Sequence, residues 1–304
     1  MKKLFLVIMA LSLLLVTGCG KESLSSQEQG SGYTVVDARG KKITFASAPK
    51  RIVCLNYSAT DILTDLIPTE RIIATDMWAR EEDLSNCYEK LNGIPVCENN
   101  PEQIMKFKPD LVILTDGRAN ELADTLDSVG IKTCVLRQPK TIQEIPDYIK
   151  IVGEVADNKA AANSLAEKVA AYLKASTEGQ KIESVLLIHP NGGQKGSMPA
   201  SICEACNIEN LAAKYDFPQS SYLSKEQIIA MNPQRLIVLD WSFGGQHKNA
   251  EIRKEEILND PSYQTVSAVQ NGKVVIVPMK YMHCSSQYVM KNLEELKRIM
   301  RTTL

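Results

Sequence analysis

Residues 101–116 read PEQIMKFKPDLVILTD, and residues 225–240 read KEQIIAMNPQRLIVLD. The two stretches share Glu102/Glu226, Gln103/Gln227, Ile104/Ile228, Pro109/Pro233, Ile113/Ile237 and Asp116/Asp240 in the same register. Periods of about 20–50 residues mark solenoids and propellers, so so distant a recurrence points to two similar lobes. Around each copy, short apolar runs alternate with helix-like segments. In the first half the runs are RIVCLN, RIIATD, LVILTD and IKTCVL, and in the second ESVLLIH, RLIVLDW and KVVIVP. That rhythm predicts βαβ units, hence an α/β fold of two similar parallel-sheet lobes.

Between the halves, residues 141–177 are rich in Ala, Glu, Lys and Leu. A cap at Asp157 or Asn158 restarts a helix over residues 159–175. One long helix is a semi-rigid spacer, unlike a Gly/Ser linker, so it ties the lobes with little freedom. YTVVDARGKKITFA, after residue 32, reads as a β-hairpin turning at Arg39-Gly40. ASICEACNIENLA reads as helix, and Val289, Leu293, Leu296 and Met300 place a core stripe on a terminal helix.

The chain opens with Lys2 and Lys3, an apolar run over residues 4–16 broken by Ser12, and then Thr17, Gly18 and Cys19. That is a secretion signal, too short for a comfortable span. A small residue before the cysteine resembles the lipobox of bacterial lipoproteins, which implies lipid attachment at Cys19 and a place on the outer face of the cell membrane. The polar residues 20–32 read as a tether. The expected organisation is a signal peptide at 1–18, a tether at 19–32, a first lobe at 33–156, an interlobe helix at 157–178 and a second lobe at 179–304. A formal net charge of −1 gives no electrostatic case for nucleic acid.

Cys54 and Cys134 fall inside expected strands, where a thiol acts as a small hydrophobe. Cys87 and Cys97 flank a polar segment and are a candidate disulfide in an oxidising compartment. Cys203 and Cys206 form a lone CxxC, a weak zinc signal; two thiols on one side of a core helix is the plainer account.

In both copies of the repeat the glutamate falls in the first turn of a short helix, capped by Asn100 with Pro101 in one case and by Ser224 with Gln227 in the other. The helix dipole alone accounts for a carboxylate there. Two equivalent exposed acids, one per lobe, also suit two equivalent basic sites on a symmetric partner.

With APKRIVCLNYSATDILTDL, PEQIMKFKPDLVIL, LSKEQIIAMNPQRLIVL and DPSYQTVSAVQNGKVVIVP, nearly all of the mature chain resembles the substrate-binding lipoproteins of ABC importers for iron-siderophores, haem and cobalamin. The resemblance implies two α/β lobes around a cleft, no cofactor of the protein's own, a small closing motion, and docking of Glu102 and Glu226 onto arginines of an ABC permease dimer that works with an ATPase.

Parallel α/β sheets bind ligands beyond the carboxyl ends of their strands. The candidate contacts there are Tyr57, Trp78, Arg80, Arg118 and Arg137 in the first half, and His189, Trp241, Tyr281 and His283 in the second; Asn191, Phe243 and Met279 stand near them. Arg80, Arg118 and Arg137 converging would suit an anionic ferric siderophore. Tyr281, His283, His189 or Met279 would suit haem iron, and Trp78 with Trp241 offers stacking surfaces for cobalamin. A bare ion fits less well, since the histidines His189, His247 and His283 all lie in the second half. NGGQKGS has its Lys and Gly in the wrong order for a P-loop, and GxSxG, HExxH and GxGxxG do not occur. An extracellular chelate-processing enzyme and a surface sensor or adhesin are the rival readings.

Overall fold

In the computed structural model, residues 32–117, 119–176, 183–189, 192–215, 223–240 and 248–302 are described. The chain from Gly32 onward forms one compact unit. Strands β1 (Tyr33–Val36) and β2 (Lys42–Phe45) make the expected antiparallel hairpin. Its turn needs Gly40, whose φ is +79°, and Tyr33 stacks on Phe45 with centroids 5.0 Å apart.

The first sheet contains β3 (Ile52–Leu55), β4 (Ile72–Thr75), β5 (Leu111–Thr115) and β6 (Thr133–Leu136), all parallel, in the order β4-β3-β5-β6. Helices α1 (Tyr57–Leu66), α2 (Pro101–Lys106) and α3 (Ala119–Ser128) alternate with its strands. After α4 (Ile145–Val155) and α5 (Lys159–Ser176) comes the second sheet, of β7 (Ser184–Ile188), β8 (Glu209–Asn210), β9 (Arg235–Asp240) and β10 (Val274–Pro278). Its order is β10-β9-β7-β8, again all parallel. Helices α6 (Met198–Ala205), α7 (Lys225–Met231), α8 (Lys248–Asn259), α9 (Ser267–Gln270) and α10 (Val289–Thr302) complete the described structure.

Numbered within its own half, each sheet runs second, first, third, fourth. The sequence repeat is the short helix before the third strand together with that strand: α2 with β5, and α7 with β9. Strands buried on both faces need unbroken apolar runs, which explains LVIL and LIVL.

Both repeats leave their helix by the same backbone turn. Lys108 and Asn232, each just before the shared proline, have φ of +48° and +44°. A pre-proline residue is ordinarily pushed to extended backbone, so this left-handed turn goes beyond the sequence expectation. Asn adopts it readily, whereas Lys pays for its Cβ.

Helix α5 has the expected start and length: Asn158 Oδ1 accepts from Ala161 N at 3.4 Å, and Asn158 Nδ2 donates to the Leu66 carbonyl at 2.7 Å. Ala162, Ala166, Val169 and Leu173 form its buried stripe. Gly153 on α4 lies so close that an added Cβ would stand 2.0 Å from the Ala162 Cβ. One apolar core includes Ile52 and Ile113 from the first sheet, Val152, Ala162 and Val169 from α4 and α5, Val185 and Val277 from the second sheet, and Leu293 and Met300 from α10. The stripe Val289, Leu293, Leu296 and Met300 is buried as its spacing indicates.

Two expectations fail. The thiols of Cys54, Cys87, Cys97, Cys134, Cys203, Cys206 and Cys284 are all buried and unbridged. Cys87 packs with Ala79 and Leu91, while Cys97 packs with Ile104 and Val112 in another cluster, so the Cys87–Cys97 disulfide does not form. Cys203 and Cys206 both sit in the main core, but their helix stops at Ala205. Asn207, with φ of +57°, reverses the chain and lets Ile208 N donate to the Cys203 carbonyl at 2.9 Å, after which Glu209–Asn210 is strand.

Arg235, fully buried, was not singled out from sequence. It pairs with Glu183 at 2.6 Å and donates to the Met300 carbonyl at 3.2 Å, tying β9 to α10.

Replacing Lys108 with Asn should raise stability by about 0.5–1 kcal/mol in urea unfolding, by relieving the left-handed strain. Gly153→Ala should lower it by about 1–3 kcal/mol, because α4 and α5 must separate.

Candidate functional site

The strand carboxyl ends of both halves supply the candidate residues, and in each sheet the order reverses between the first and third strands, where open α/β sheets hold ligands. In the first half, Asn56 follows β3 but is used as a cap: its Oδ1 accepts from Ala59 N at 3.0 Å. Ser58 Oγ accepts from Gln138 Nε2 at 2.6 Å, which links the ends of β3 and β6. Asp76, after β4, accepts from Ala79 N at 2.8 Å, and burial raises its carboxyl to about 7.

In the second half, His189 directly follows β7 and His283 follows the turn after β10. Their rings meet with centroids 5.8 Å apart and a 59° tilt. Across from the first half, the Tyr57 hydroxyl donates to the His283 carbonyl at 3.2 Å. Tyr57, His189 and His283 are therefore brought together from α1, β7 and the loop after β10. Burial lowers His189 to about 4; burial, reinforced by His189, lowers His283 to about 3. Both imidazoles are neutral at pH 7, and whichever nitrogen of a neutral ring carries hydrogen, the other offers a lone pair. Nε2 of His283 is buried and has no hydrogen-bond partner. A buried polar atom left unpaired costs free energy unless something completes it.

Of the three arginines, the two among the described residues, Arg80 and Arg137, are engaged separately. Arg80 Nη1 donates to the carbonyls of Leu91 and Ile94, the latter at 3.2 Å, so this guanidinium braces its own loop rather than facing a ligand. Arg137 is largely exposed, with its Nε 3.9 Å from Asp116 Oδ2. Those two line a cavity of about 540 Å³ with Lys140 and Glu144 at the ends of β5 and β6. Trp78 and Tyr281 are half-buried against the main core, and Met279 is fully inside it. Burial, with Glu295 of α10 beside it, raises the Tyr281 hydroxyl above its usual range. Cys19, Arg118, Asn191, Trp241, Phe243 and His247 lie outside the described residues. A cavity of about 600 Å³ lies between the crossover at Thr141 and the start of α6; its lining includes Lys195 and Asn210 but neither histidine.

Residues 280–288, which carry His283, are held to the first half throughout. Lys280 N donates to the Asp83 carbonyl at 2.8 Å, and Lys280 Nζ to the Glu82 carbonyl at 2.7 Å. Ser286 Oγ donates to Asp61 Oδ2 at 2.9 Å, and Lys90 Nζ to the Tyr288 hydroxyl at 2.9 Å. Asp61 is 2% exposed, and burial raises its carboxyl to about 6 against the hydrogen bonds from Cys87, Ser286 and Ser85 that oppose the rise. Sequence reasoning overlooked Asp61. Its signal was present: Tyr57, Asp61 and Asp65 recur every fourth residue along one face of α1.

Glu102 and Glu226 are both exposed in the first turns of α2 and α7. Asn100 Oδ1 accepts from Gln103 N at 3.1 Å, and Ser224 with Gln227 forms a complete capping box. The acids occupy the same place in the shared topology, just ahead of each third strand.

Residues 52–281 match the family described as periplasmic binding protein. The chain belongs to the periplasmic binding protein family. This periplasmic binding protein is 23% identical over 311 residues to the uncharacterized ABC transporter substrate-binding lipoprotein YvrC of Bacillus subtilis, covering 94% of this chain and 93% of the relative. It is 25% identical over 213 residues to a cobalamin-binding protein of Halobacterium salinarum, covering 67% of this chain and 58% of that one. Among solved structures it resembles the periplasmic heme-binding protein RhuT from Roseiflexus in apo form, with a TM-score of 0.70 at 18% identity, over 84% of this chain and 98% of that chain. That likeness shows the two-sheet fold.

The buried groups pull stability in opposite directions with pH. Between about pH 4 and 7 the folded periplasmic binding protein keeps protons on Asp61 and Asp76 that the unfolded chain has released, so their contribution falls as pH rises. Below about pH 6.5 the unfolded histidines take protons that folded His189 and His283 refuse, so theirs falls as pH drops. Thermal melts should therefore change little from about pH 7 to 5 in the native chain; with Asp61→Asn the midpoint should fall on acidification, and with His283→Gln it should rise.

Proposed function

We propose that this chain is the extracytoplasmic substrate-binding component of an ABC importer, anchored through lipid at Cys19, and that it captures a bulky metal chelate or tetrapyrrole at the facing strand ends of its two halves. The observation that carries the reading is the pair of neutral imidazoles, His189 and His283, with the buried and unpartnered Nε2 of His283 at the junction of the halves. Neutral imidazole is a ligand for iron and cobalt, and burial keeps both rings in that state.

The same observation orders the cargo candidates. A ferric siderophore held by converging arginines needed Arg80, which is spent on backbone carbonyls. A metal centre with an open axial position, as in haem or cobalamin, matches imidazole donors better. Relatives named for cobalamin binding and for Fe(3+)-citrate binding both fall within the class of chelates and tetrapyrroles. Tyr57 would close the site from the first half, and Arg137 would meet an acidic group at the rim.

Delivery falls to Glu102 and Glu226, the matched exposed acids, which would engage paired basic sites on a permease dimer. Their equivalence in topology and exposure is what supports that role. The lipid anchor is supported by the residues around Cys19 and by the lipoprotein YvrC among the relatives.

Titrating the purified protein with hemin, aquocobalamin and a ferric catecholate siderophore, each followed by absorbance, separates the cargo classes. A shifted Soret or cobalamin band is expected, weakened about 10–100-fold by His283→Ala; tight binding of the siderophore alone would overturn the imidazole reading. In cells, Glu102→Lys with Glu226→Lys should abolish uptake while leaving this affinity unchanged, and normal uptake would defeat the docking role.

A further inference from the structure

We propose that Asp61 is a positioning residue for the cargo site: through Ser286 and Gln287 it holds the segment that carries His283, so that one face of helix α1 sets where the imidazole stands. The inference rests on the reading that His283 meets the cargo metal, and it assigns a task to groups in the other half of the chain.

Helix α1 presents Tyr57, Asp61 and Asp65 one turn apart along a single face, with a rise of about 6 Å between successive members. Each holds a successive part of the 280–288 segment. The Tyr57 hydroxyl donates to the His283 carbonyl at 3.2 Å. Asp61 Oδ2 accepts from Ser286 Oγ at 2.9 Å, and the Asp61 carbonyl accepts from Gln287 Nε2 at 2.9 Å. Asp65 Oδ2 accepts from the same Gln287 Nε2 at 2.9 Å, and Asp65 also pairs with Lys90, which reaches the Tyr288 hydroxyl. The segment itself has little regular structure between Met282 and Val289 to hold its shape; Lys280 fixes its start to Asp83 and Glu82, and beyond His283 the ladder holds it.

Asp61 is the rung that commits both sides. Its second oxygen accepts from Ser85 Oγ at 3.3 Å, a hydroxyl from the first half, while Ser286 comes from the second. Burying a carboxylate is unfavourable unless its oxygens are paired. Lifting the segment would strip one oxygen of its donor in a space walled by Cys87, Cys284 and Tyr57. The segment is thus fixed at His283 and again three residues later, and the ring between those attachments has little room to move.

The test uses the full mature chain with Ser286→Ala, Ser286→Thr and Asp61→Asn, and with Asp37→Asn as a control. Asp37 is buried in a separate network with Arg39 and the Val135 amide, so that variant perturbs the fold elsewhere. Hydrogen exchange of the peptide spanning 280–288 and thiol labelling of Cys284, resolved by mass spectrometry, report the segment; hemin and aquocobalamin titrations report the site. Ser286→Ala and Asp61→Asn should speed exchange there, expose Cys284 and weaken the bound probe by about tenfold or more. Ser286→Thr, which keeps the hydroxyl, should restore all three, and Asp37→Asn should change none. Faster exchange with unaltered probe affinity would overturn the proposal, as would unchanged exchange in Ser286→Ala. Should neither probe bind the native chain, the cargo reading fails, and exchange with labelling alone decides whether the ladder holds the segment.

Discussion

The apolar core that passes unbroken from one sheet to the other is the constraint on which the rest depends. It runs from Ile52 and Ile113 through Val152, Ala162 and Val169 to Val185, Val277 and Leu293. Helices α4 and α5 form its middle, and they fit together only because Gly153 has no side chain opposite Ala162. Halves that share a core cannot swing apart like domains on a flexible linker without exposing apolar surface, which costs roughly 25 cal/mol for each Å² uncovered. Under the proposed function, cargo would then enter through small adjustments at the strand ends.

Desolvation does most of the chemical work at those ends. It keeps two imidazoles neutral, and it raises the carboxyls of Asp61 and Asp76 well above their usual range. One physical cause therefore produces neutral imidazoles and a paired buried carboxylate within one seam. Glu102 and Glu226, by contrast, stand exposed in the first turns of short capped helices.

Much of the architecture was legible because it is local. The repeat at 101–116 and 225–240 marked the third strand of each sheet, and the Ala-rich run marked α5 to within a residue or two. The hairpin followed from Arg39-Gly40, while the strand-end rule marked His189 and His283 only singly and gave no sign that their rings pair. What escaped notice depends on residues far apart in the chain. Arg80 looked like a cleft cation until the carbonyls of Leu91 and Ile94 claimed it. The spacing of Cys87 and Cys97 suggested a bridge, and nothing in it revealed that each thiol faces a different cluster. Ser286 gains its meaning only from Asp61, 225 residues earlier. Helix propensity could not foresee that Asn207 would reverse the chain after Cys206.

Seven buried, unbridged cysteines among the described residues have a consequence for how the molecule matures. Burial raises the thiols of Cys54, Cys134, Cys206 and Cys284 to about 12, so almost none of each is thiolate, the form that attacks disulfides. These thiols need no oxidant or isomerase to reach their final state. Their safety is conferred by the fold: once folded they resist oxidation, whereas an unfolded chain exposes all seven at ordinary reactivity. Speed of folding is then what protects the sulfur.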